Sequence, residues 1–334
     1  MFSTATLLDL PAFSYAHATD ASAATGCTVV VAREGATCGV DVRGGGPATR
    51  ETDLLKPENM IEKVHAVVIS GGSAFGLASA CGVMDVLSAR KIGFELGGAH
   101  VPIVTGACLF DLLVGEEGVV SSSDRYVKLG AEAAARALEQ GTCGLAEGNV
   151  GAGCGATVGK MLLPEQAMKS GLGVHGVRIG DLVTCAIVAV NAIGQVRDAQ
   201  GGWIAGCNEE GRVLDPLEVM AKRAQLAAAQ QADAGAGVAP CTNTTLGIVV
   251  TNAALTKAQA TKVSSTTHDA YARAIKPVHT SNDGDTIFTF ASGEVPSDAD
   301  TVAIMATEAM QLAIVRALTC ADAAYGLPCA RDFA

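Results

Sequence analysis

The chain has 334 residues, 49% hydrophobic and 17% charged, and a formal net charge of −11. This hydrophobicity argues against intrinsic disorder, and the acidic balance argues against a nucleic-acid or anionic-membrane partner, because both need a basic surface. The eleven cysteines are scattered without a CxxC pair, and no secretory signal or uncharged apolar run of 18 residues is recognisable. We therefore expect a cytoplasmic protein.

The first half of the chain contains apolar runs of strand length followed by helical patterns. Strands are predicted at three of these runs, residues 27–32, 38–42 and 64–69. The first two are expected to flank a turn at Gly35. Apolar residues at helical spacing predict helices over 77–91 and 124–140. The glycine-rich stretch between 149 and 160 predicts no regular element.

The second half repeats this mixture in a different order. Apolar runs predict strands at residues 183–191, 245–251 and 286–291. Helices are expected over 216–231, after Thr256 and after about Ser297. Thr256 with Gln259 three residues later is a capping-box pattern. Only the Ala- and Gly-rich segment 231–242 resembles a linker.

The order of the elements predicts the fold class. Strands and helices come in pairs, without a repeating βαβ unit, which favours an α+β layered sandwich over a doubly wound parallel sheet. Residues after 244 supply too few strands to fold alone. We therefore expect residues 1–334 to form one domain.

Two glycine-rich loops are candidate ligand-binding segments. The SGGSAFG run (70–76) could present backbone N–H groups to an anion, and NVGAGCGATVGK (149–160) could let the backbone approach a ligand. Neither is a nucleotide-binding motif, and a purely structural turn explains either one equally simply. Lys160 is the only charged residue between Asn149 and Glu165.

Polar residues also stand at strand ends. Asn191 ends a nearly apolar run, where it could terminate a strand or donate a hydrogen bond into a cleft. Asp283 and Asp285 flank Gly284 and resemble part of a calcium loop, but the pair alone is weak evidence for a metal and also fits an Asx-type turn.

The junction CTNTTLGIVVTN (241–252) joins the linker to a predicted strand. A threonine hydroxyl needs a base to become a nucleophile, and the residue's own α-amine can serve once the preceding peptide bond is cut. Asn followed by Thr at a strand edge suits such self-cleavage. A Thr-Thr pair is also ordinary in a strand.

Five motifs together resemble the DmpA-type self-processing peptidases, which include the aminohexanoate-oligomer (nylon-oligomer) hydrolases. The motifs, which follow the family's order, are GGSAFGL, GAGCGATVGK, AVNAIGQV, NTTLGIVVTNA and HTSNDGDTIF, and the resemblance as a whole runs from about residue 25 to 320. The resemblance implies a four-layer αββα sandwich and an N-terminal-nucleophile hydrolase that cleaves amide bonds without a metal or organic cofactor.

The resemblance also implies roles for individual residues. Thr244 would be the nucleophile and Asn243–Thr244 the processed bond, which gives chains of residues 1–243 and 244–334. Lys160 and Asn191 would stand at the active site, with Asn191 able to donate to the tetrahedral oxygen. Asp283 and Asp285 match the family's acidic pair. The implied substrate-binding residues are Gly72, Ser73, Phe75 and Gly153, with Phe75 where some relatives have tyrosine.

Several alternatives stay open at this point. The aminopeptidase branch of the family usually has a serine nucleophile, so threonine at 244 favours the nylon-hydrolase side, and Thr245 is the alternative nucleophile if the register differs by one. Short peptides, amino-acyl amides and aminohexanoate oligomers are the expected substrates. An acyltransferase of the ornithine-acetyltransferase type and a non-catalytic small-molecule binder are the rival functions. The resemblance further implies a homo-oligomer, a tetramer of cleaved units.

Overall fold

The computed structural model describes residues 2–116, 122–230 and 243–333, with no description of the side chains of 227–230. In the first of these ranges the strands are β1 (Phe2–Ala5), β2 (Phe13–Asp20), β3 (Thr25–Val42), β4 (Ala48–Arg50), β5 (Val64–Ser70), β6 (Phe94–Leu96), β7 (Ala99–Val101) and β8 (Val104–Cys108). The helices of this range are α1 (Ser73–Gly76) and α2 (Ser79–Ala89).

The second range contributes helices α3 (Ser123–Gln140) and α4 (Pro216–Gln230). Its strands are β9 (Thr157–Val158), β10 (Met168–Lys169), β11 (Leu172–Ile179), β12 (Leu182–Asn191), β13 (Gln195–Arg197), β14 (Trp203–Ala205), β15 (Asn208–Glu209) and β16 (Arg212–Val213). The third range contributes β17 (Thr244–Ala254), α5 (Lys257–Ala274), β18 (Ile275–Lys276), β19 (Thr286–Pro296) and α6 (Ala299–Thr319).

One long strand joins the two halves of the main sheet. The strands follow the order β1-β11-β12-β17-β19-β3-β5-β8-β4, and β2 also pairs with β3. The N-terminal part of β3 pairs with β2 and β5, whereas residues 37–42 pair with β19. Most neighbours are antiparallel, but β17–β19 and β5–β8 are parallel.

The predicted turn at Gly35 between two strands is wrong, because residues 25–42 form a single bent strand, β3. The pairing register with β5 shifts between Val31 and Ala36, and Gly35 lies inside this irregularity with a φ of +69°. A left-handed residue can form a bulge as well as a turn, and a bulge bends a strand without reversing it. The bend lets β3 serve both halves of the sheet.

Side-chain alternation along β12 shows how the layers stack. Val183, Cys185 and Ile187 pack into a core shared with strands β2, β5 and β8, so the two halves of the sheet face each other. Val188 and Val190 point to the opposite face, where they pack with side chains of α5 and α6. A third cluster packs α2 and α3 on the outer face of the other half. The layers are therefore helix, sheet, sheet and helix, and the predicted four-layer αββα sandwich is confirmed.

Local sequence signals explain where the helices of the C-terminal range begin. Thr256 caps α5 and forms the predicted capping box with Gln259. The side chain of Asp298 accepts a hydrogen bond of 2.8 Å from the backbone of Thr301 and so caps α6. By length and composition α6 could cross a membrane, but 61% of its most apolar window is buried in the protein. That burial is typical of a core helix.

Most of the predicted elements are found, with small changes at their ends. The predicted strand at 183–191 corresponds to β12, and the helix predicted over 77–91 begins after the short turn α1. The stretch 149–160 is largely irregular, with a 3₁₀ turn at Gly151–Gly153 and the two residues of β9. The predicted linker 231–242 lies outside the described residues.

Candidate functional site

The site lies where the end of β12 is paired with the start of β17. Their antiparallel register places Ile187 opposite Ile248 and, at the strand ends, Asn191 opposite Thr244. The β-branched and aliphatic residues of both strands are buried on both faces, which fixes this register strongly. Asn191 is fully buried and Thr244 is 4% exposed. The sheet therefore brings two of the predicted site residues together.

The hydroxyl of Thr244 lies against the peptide bond that precedes it. Its Oγ1 donates a hydrogen bond to the carbonyl oxygen of Asn243. The backbone N–H of Gly284 donates to the same oxygen at 3.2 Å. A Cβ atom at position 284 would lie 2.7 Å from Thr244 Oγ1, so only glycine fits beside the hydroxyl. Two donors thus converge on one carbonyl oxygen.

The glycine-rich loop carries Lys160 to Asn191. Gly159 has a φ of +76°, and the backbone N–H of Lys160 donates to Ile193 at 3.0 Å, which ties the loop to the end of β12. The Lys160 ammonium donates to Asn191 Oδ1 at 2.6 Å and to Asn191 O at 3.1 Å. Desolvation of this ammonium lowers the pKa of Lys160 to about 7, against the opposing charges of Asp283 and Asp111.

The side-chain amide of Asn191 is held from both sides. Besides Lys160, its Oδ1 accepts a hydrogen bond of 3.1 Å from the backbone N–H of Thr157, and its Nδ2 donates to Phe110 O at 2.9 Å. The sequence suggested that Asn191 donates to a tetrahedral oxygen. In this structure its carbonyl faces Lys160, and one amide hydrogen is directed at Phe110.

The acidic pair contacts the start of β17 and the residue before it. The backbone of Asp283 forms an isolated parallel β-bridge with that of Asn243. The Asp283 carboxylate accepts hydrogen bonds of 2.7 and 2.6 Å from the N–H and hydroxyl of Thr280. Burial raises the pKa of Asp283, and the neighbouring charge of Asp285 raises it further. Asp285 Oδ1 accepts a hydrogen bond of 2.7 Å from the Thr245 N–H. Asp283 therefore pairs with the residue before the Asn243–Thr244 bond, and Asp285 binds the residue after it.

Two buried charged residues at this site were not predicted from the sequence. The ammonium of Lys169 donates to three carbonyl oxygens, at 2.5 Å to Ser170, 2.8 Å to Ala156 and 3.3 Å to Gly153. Burial lowers the pKa of Lys169 to about 7. Three carbonyls around one ammonium hold the glycine-rich loop in place, as a bound cation would.

The second unpredicted residue is Asp111, which follows β8. Its carboxylate accepts 2.7 Å hydrogen bonds from the Thr25 hydroxyl and the backbone N–H of Gly72. Burial raises the pKa of Asp111 to about 7. A polar residue shortly after a buried strand was the available sequence signal, but nothing local distinguishes Asp111 from an ordinary turn residue.

A cavity of about 600 Å³ opens beside Lys160. Its walls are mainly apolar, with three acidic or basic side chains among them. The lining includes Phe110, Asp111, Leu113, Lys160, Glu165 and Leu327. This volume falls in the range of small-molecule sites. Thr157, which hydrogen-bonds the Asn191 amide, also lines the cavity and connects it to the strand ends.

The four predicted substrate-binding residues do not line this cavity within the described part of the chain. Gly72 supports it indirectly through its hydrogen bond to Asp111. Ser73 donates its backbone N–H to Leu109, and Phe75 is 45% exposed. Gly153 is buried under the Lys169 ammonium. Their roles in binding substrate stay predictions.

Asp283 and Asp285 have no third His, Cys, Asp or Glu side chain, in the part of the chain that the structure describes, with which to hold a metal ion. Among residues 2–116, 122–230 and 243–333, no group of three His, Cys, Asp or Glu side chains could hold a metal ion. Both carboxylates are occupied instead by hydrogen bonds from the backbone and from neighbouring side chains.

Comparisons with known proteins agree with this fold. The model of a family described as peptidase family S58 matches residues 6–328. An uncharacterised aminopeptidase of Mycobacterium leprae is 39% identical over 281 residues, which cover 83% of this chain and 73% of the relative. A 6-aminohexanoate-oligomer endohydrolase of a Kocuria species is 28% identical over 295 residues, covering 86% and 75% of the two chains.

A solved structure shares the architecture at low sequence identity. The L-aminopeptidase D-Ala-esterase/amidase of Ochrobactrum anthropi, described as a variant of the Ntn hydrolase fold, superposes with a TM-score of 0.61 and 15% identity. The superposition covers 96% of this chain and 88% of that protein. The αββα layers therefore have the architecture described as the Ntn hydrolase fold.

The burial of the Lys169 ammonium among three carbonyl oxygens predicts a pH-dependent contribution to the free energy of unfolding. The pKa of Lys169 falls from an ordinary 10.5 to about 7 on folding, so between these values the unfolded chain holds more protons and stability rises with pH. Lys169→Met should remove that part of the rise. It should also cost about 1–3 kcal/mol at the alkaline end, because buried carbonyls lose their donor.

Urea unfolding of both proteins across this pH range measures the difference. The matched control is Lys128→Met, since Lys128 is exposed on α3 and its loss should leave the pH dependence unchanged. A Lys169→Met protein whose stability rises with pH as steeply as that of the wild type would contradict the prediction.

Proposed function

Because the chain belongs to peptidase family S58 and is a peptidase or amidohydrolase, we propose that it cuts its own Asn243–Thr244 bond and then hydrolyses amides with Thr244 as the nucleophile. The observation that carries this proposal is the contact between the Thr244 hydroxyl and the Asn243 carbonyl, with the Gly284 N–H on the same oxygen. A nucleophile, its target and a donor for the developing oxyanion are thus already adjacent.

Self-cleavage proceeds in two steps, an acyl transfer from nitrogen to oxygen and then hydrolysis of the ester. Thr244 Oγ1 loses its proton and attacks the Asn243 carbonyl carbon, and the Gly284 N–H stabilises the negative oxygen. The C–N bond then breaks, the nitrogen of Thr244 takes a proton, and an ester joins Asn243 to Oγ1. Water hydrolyses this ester and leaves a carboxylate on Asn243 and a free α-amine on Thr244.

Lys160 is the group best placed to receive the first proton. Its amine contacts Asn191, which faces Thr244 across the strand pair, and its pKa of about 7 leaves a large neutral fraction near neutral pH. A base whose pKa is close to the working pH transfers protons efficiently. In the uncut chain no α-amine exists at Thr244, so another group acts as the base, and we assign that role to Lys160.

Turnover then uses the amine that cleavage creates. The α-amine of Thr244 takes the hydroxyl proton, Oγ1 attacks the substrate carbonyl, and the leaving amine receives the proton as the acyl-enzyme forms. Water attacks the acyl-enzyme and regenerates the hydroxyl. The buried carboxylates of Asp283 and Asp285 supply negative charge near the protonated α-amine and stabilise it.

The cavity beside Lys160 is the proposed substrate site. Its apolar walls suit an aliphatic acyl chain, and Asp111 and Glu165 provide carboxyl groups for a substrate with a free amino group. Short peptides, amino-acyl amides and aminohexanoate-type oligomers combine these features. The two relatives named above, an aminopeptidase and an oligoamide hydrolase, are consistent with this range.

We also propose a cytoplasmic homo-oligomer of four cleaved units. Ile304, 64% exposed, and Leu312 lie two turns apart on the outer face of α6, where association would remove them from water. Light scattering at micromolar concentration that shows a stable monomer would contradict this assembly.

Thr244→Ala should abolish self-cleavage and lower turnover by about four orders of magnitude or more, because the nucleophile is lost. The matched control is Thr245→Ala, which removes a hydroxyl one residue away and should leave cleavage largely intact. Denaturing electrophoresis and N-terminal sequencing measure both, and the wild-type small chain should begin at Thr244. The opposite behaviour of the two variants would assign the nucleophile to Thr245.

The rate of self-cleavage should rise with pH and reach half of its maximum near pH 7, where Lys160 loses its proton. The precursor can be followed after rapid refolding between about pH 5.5 and about pH 9. Lys160→Met has no amine and Lys160→Arg stays charged, so both should cleave slowly throughout. A wild-type rate that does not vary over this range would exclude Lys160 as the base.

Hydrolysis of amino-acyl nitroanilides and aminohexanoate oligomers tests the substrate range. We expect release of amine products from substrates with a free amino group, and weaker activity when that group is acetylated. Acetyl transfer from an acetylated amino acid to glutamate, without hydrolysis of the panel, would instead identify an acyltransferase.

A further inference from the structure

A group of buried polar side chains surrounds His279, next to the nucleophile strand. His279 packs against the rings of His268 and Tyr271, with ring centroids 4.8 and 6.0 Å away. Within the described residues, His279 Nε2, His268 Nδ1, the Tyr271 hydroxyl and the Thr245 hydroxyl are buried without a hydrogen-bond partner. Such groups are rarely left unpaired in an interior without a functional reason.

His279 and Asp285 form a defined pair within this group. Asp285 Oδ2 lies 2.8 Å from His279 Nδ1 and 3.1 Å from the backbone N of the same residue. A carboxylate oxygen only accepts, so Nδ1 carries a hydrogen. Both donors of His279 therefore converge on one oxygen of a carboxylate that is 1% exposed.

The other oxygen of Asp285 contacts the residue that follows the proposed nucleophile. Oδ1 accepts the 2.7 Å hydrogen bond from the N–H of Thr245, whose peptide bond starts at the Thr244 carbonyl. Asp285 thus connects His279 to the peptide unit that orients Thr244. Rotation of the carboxylate would break the contact on this side, and the two donors of His279 oppose that rotation.

The backbone of His279 is held in an uncommon conformation for this purpose. Its φ is +56°, in the left-handed region, which is unfavourable for a non-glycine residue. In this conformation the backbone N–H and the ring point at the same oxygen. A residue that only filled space would gain nothing from such strain.

We propose that His279 is a positioning residue: through Asp285 it fixes the Thr244–Thr245 peptide and so holds the Thr244 hydroxyl in register for attack. This inference rests on the proposed function. His279 does not line the cavity beside Lys160, so its loss should lower the rate of self-cleavage and kcat and leave KM nearly unchanged.

Three substitutions at one position separate the ring from the backbone. In His279→Asn the amide nitrogen takes the place of Nδ1, and asparagine tolerates the left-handed region. His279→Gly relieves the strain without supplying a side-chain donor, and His279→Ala removes the donor and keeps a Cβ. The matched control is His268→Gln, which can retain the Nε2 contact to Asp41 O and does not touch Asp285.

Self-cleavage rate, kcat and KM are measured for all of these proteins. The Asn variant and the His268→Gln control should stay within about threefold of the wild type, and the Gly and Ala variants should lose about 10–100-fold in kcat and in cleavage rate, as is typical when a supporting hydrogen bond is removed. KM should change by less than about twofold. If the Ala variant does not fold, the comparison of Asn with Gly decides.

Equal activity of the Gly and Asn variants would overturn the inference, because the backbone alone would then matter. An Asn variant as impaired as Ala, or variants all equal to the wild type, would overturn it as well. In each of these cases the wild type is cut and active, so the proposed function stands. A wild-type chain that is neither cut nor active would overturn the proposed function and this inference together.

Discussion

The antiparallel pairing of β12 with β17 is the constraint on which the rest of the site depends. It brings Asn191, at the end of one strand, opposite Thr244, at the start of the other. Because side chains alternate along a strand, a slip by one residue would turn Thr244 to the opposite face and bring Asn243 or Thr245 opposite Asn191. The two cores on either side of the sheet oppose such a slip, so the large hydrophobic interior also keeps Asn191 and Thr244 opposite each other.

Around this register the protein buries four ionisable groups in a small region. Lys160 and Lys169 each have a pKa of about 7, as does Asp111, and the pKa of Asp283 is raised. Charged groups away from water are costly unless they are hydrogen-bonded or paired, and here backbone carbonyls, backbone N–H groups and threonine hydroxyls bind them. As a result, Lys160, Lys169 and Asp111 change protonation near neutral pH, and Asp283 keeps its proton to a higher pH than an exposed carboxyl group does. The glycine-rich loop makes this possible, because close backbone approach lets one ammonium contact three carbonyl oxygens.

Sequence reasoning succeeded where local patterns determine structure. The capping box at Thr256 and the apolar run of β12 predicted elements that the structure contains. It failed for β3, because Gly35 fits a turn and a bulge equally well and only the partner strands decide between them. It also gave no indication of β11, whose pattern is interrupted by two glycines, a histidine and an arginine. The layers themselves were predicted through the resemblance rather than from the pattern alone.

For the site, the five motifs identified Thr244, Lys160, Asn191 and the two aspartates, but not the residues that support them. Asp111 binds residues distant in sequence, Lys169 binds backbone carbonyls that carry no side-chain signal, and His279 has a left-handed backbone conformation that no periodicity reveals. The predicted role of Gly153 illustrates the same limit. The sequence indicated a glycine that lets a ligand approach, whereas in the structure an internal lysine occupies the place beside it.

The central claim is that Thr244 becomes an N-terminal nucleophile and carries the acyl group during turnover. Rapid quenching of the cleaved enzyme with a slowly hydrolysed amino-acyl ester, followed by mass spectrometry of the small chain, tests it most directly. The account predicts a mass increase equal to the acyl group on a chain that begins at Thr244, located on that residue by fragmentation. An acyl group found on another residue, or a small chain with a different first residue, would contradict it.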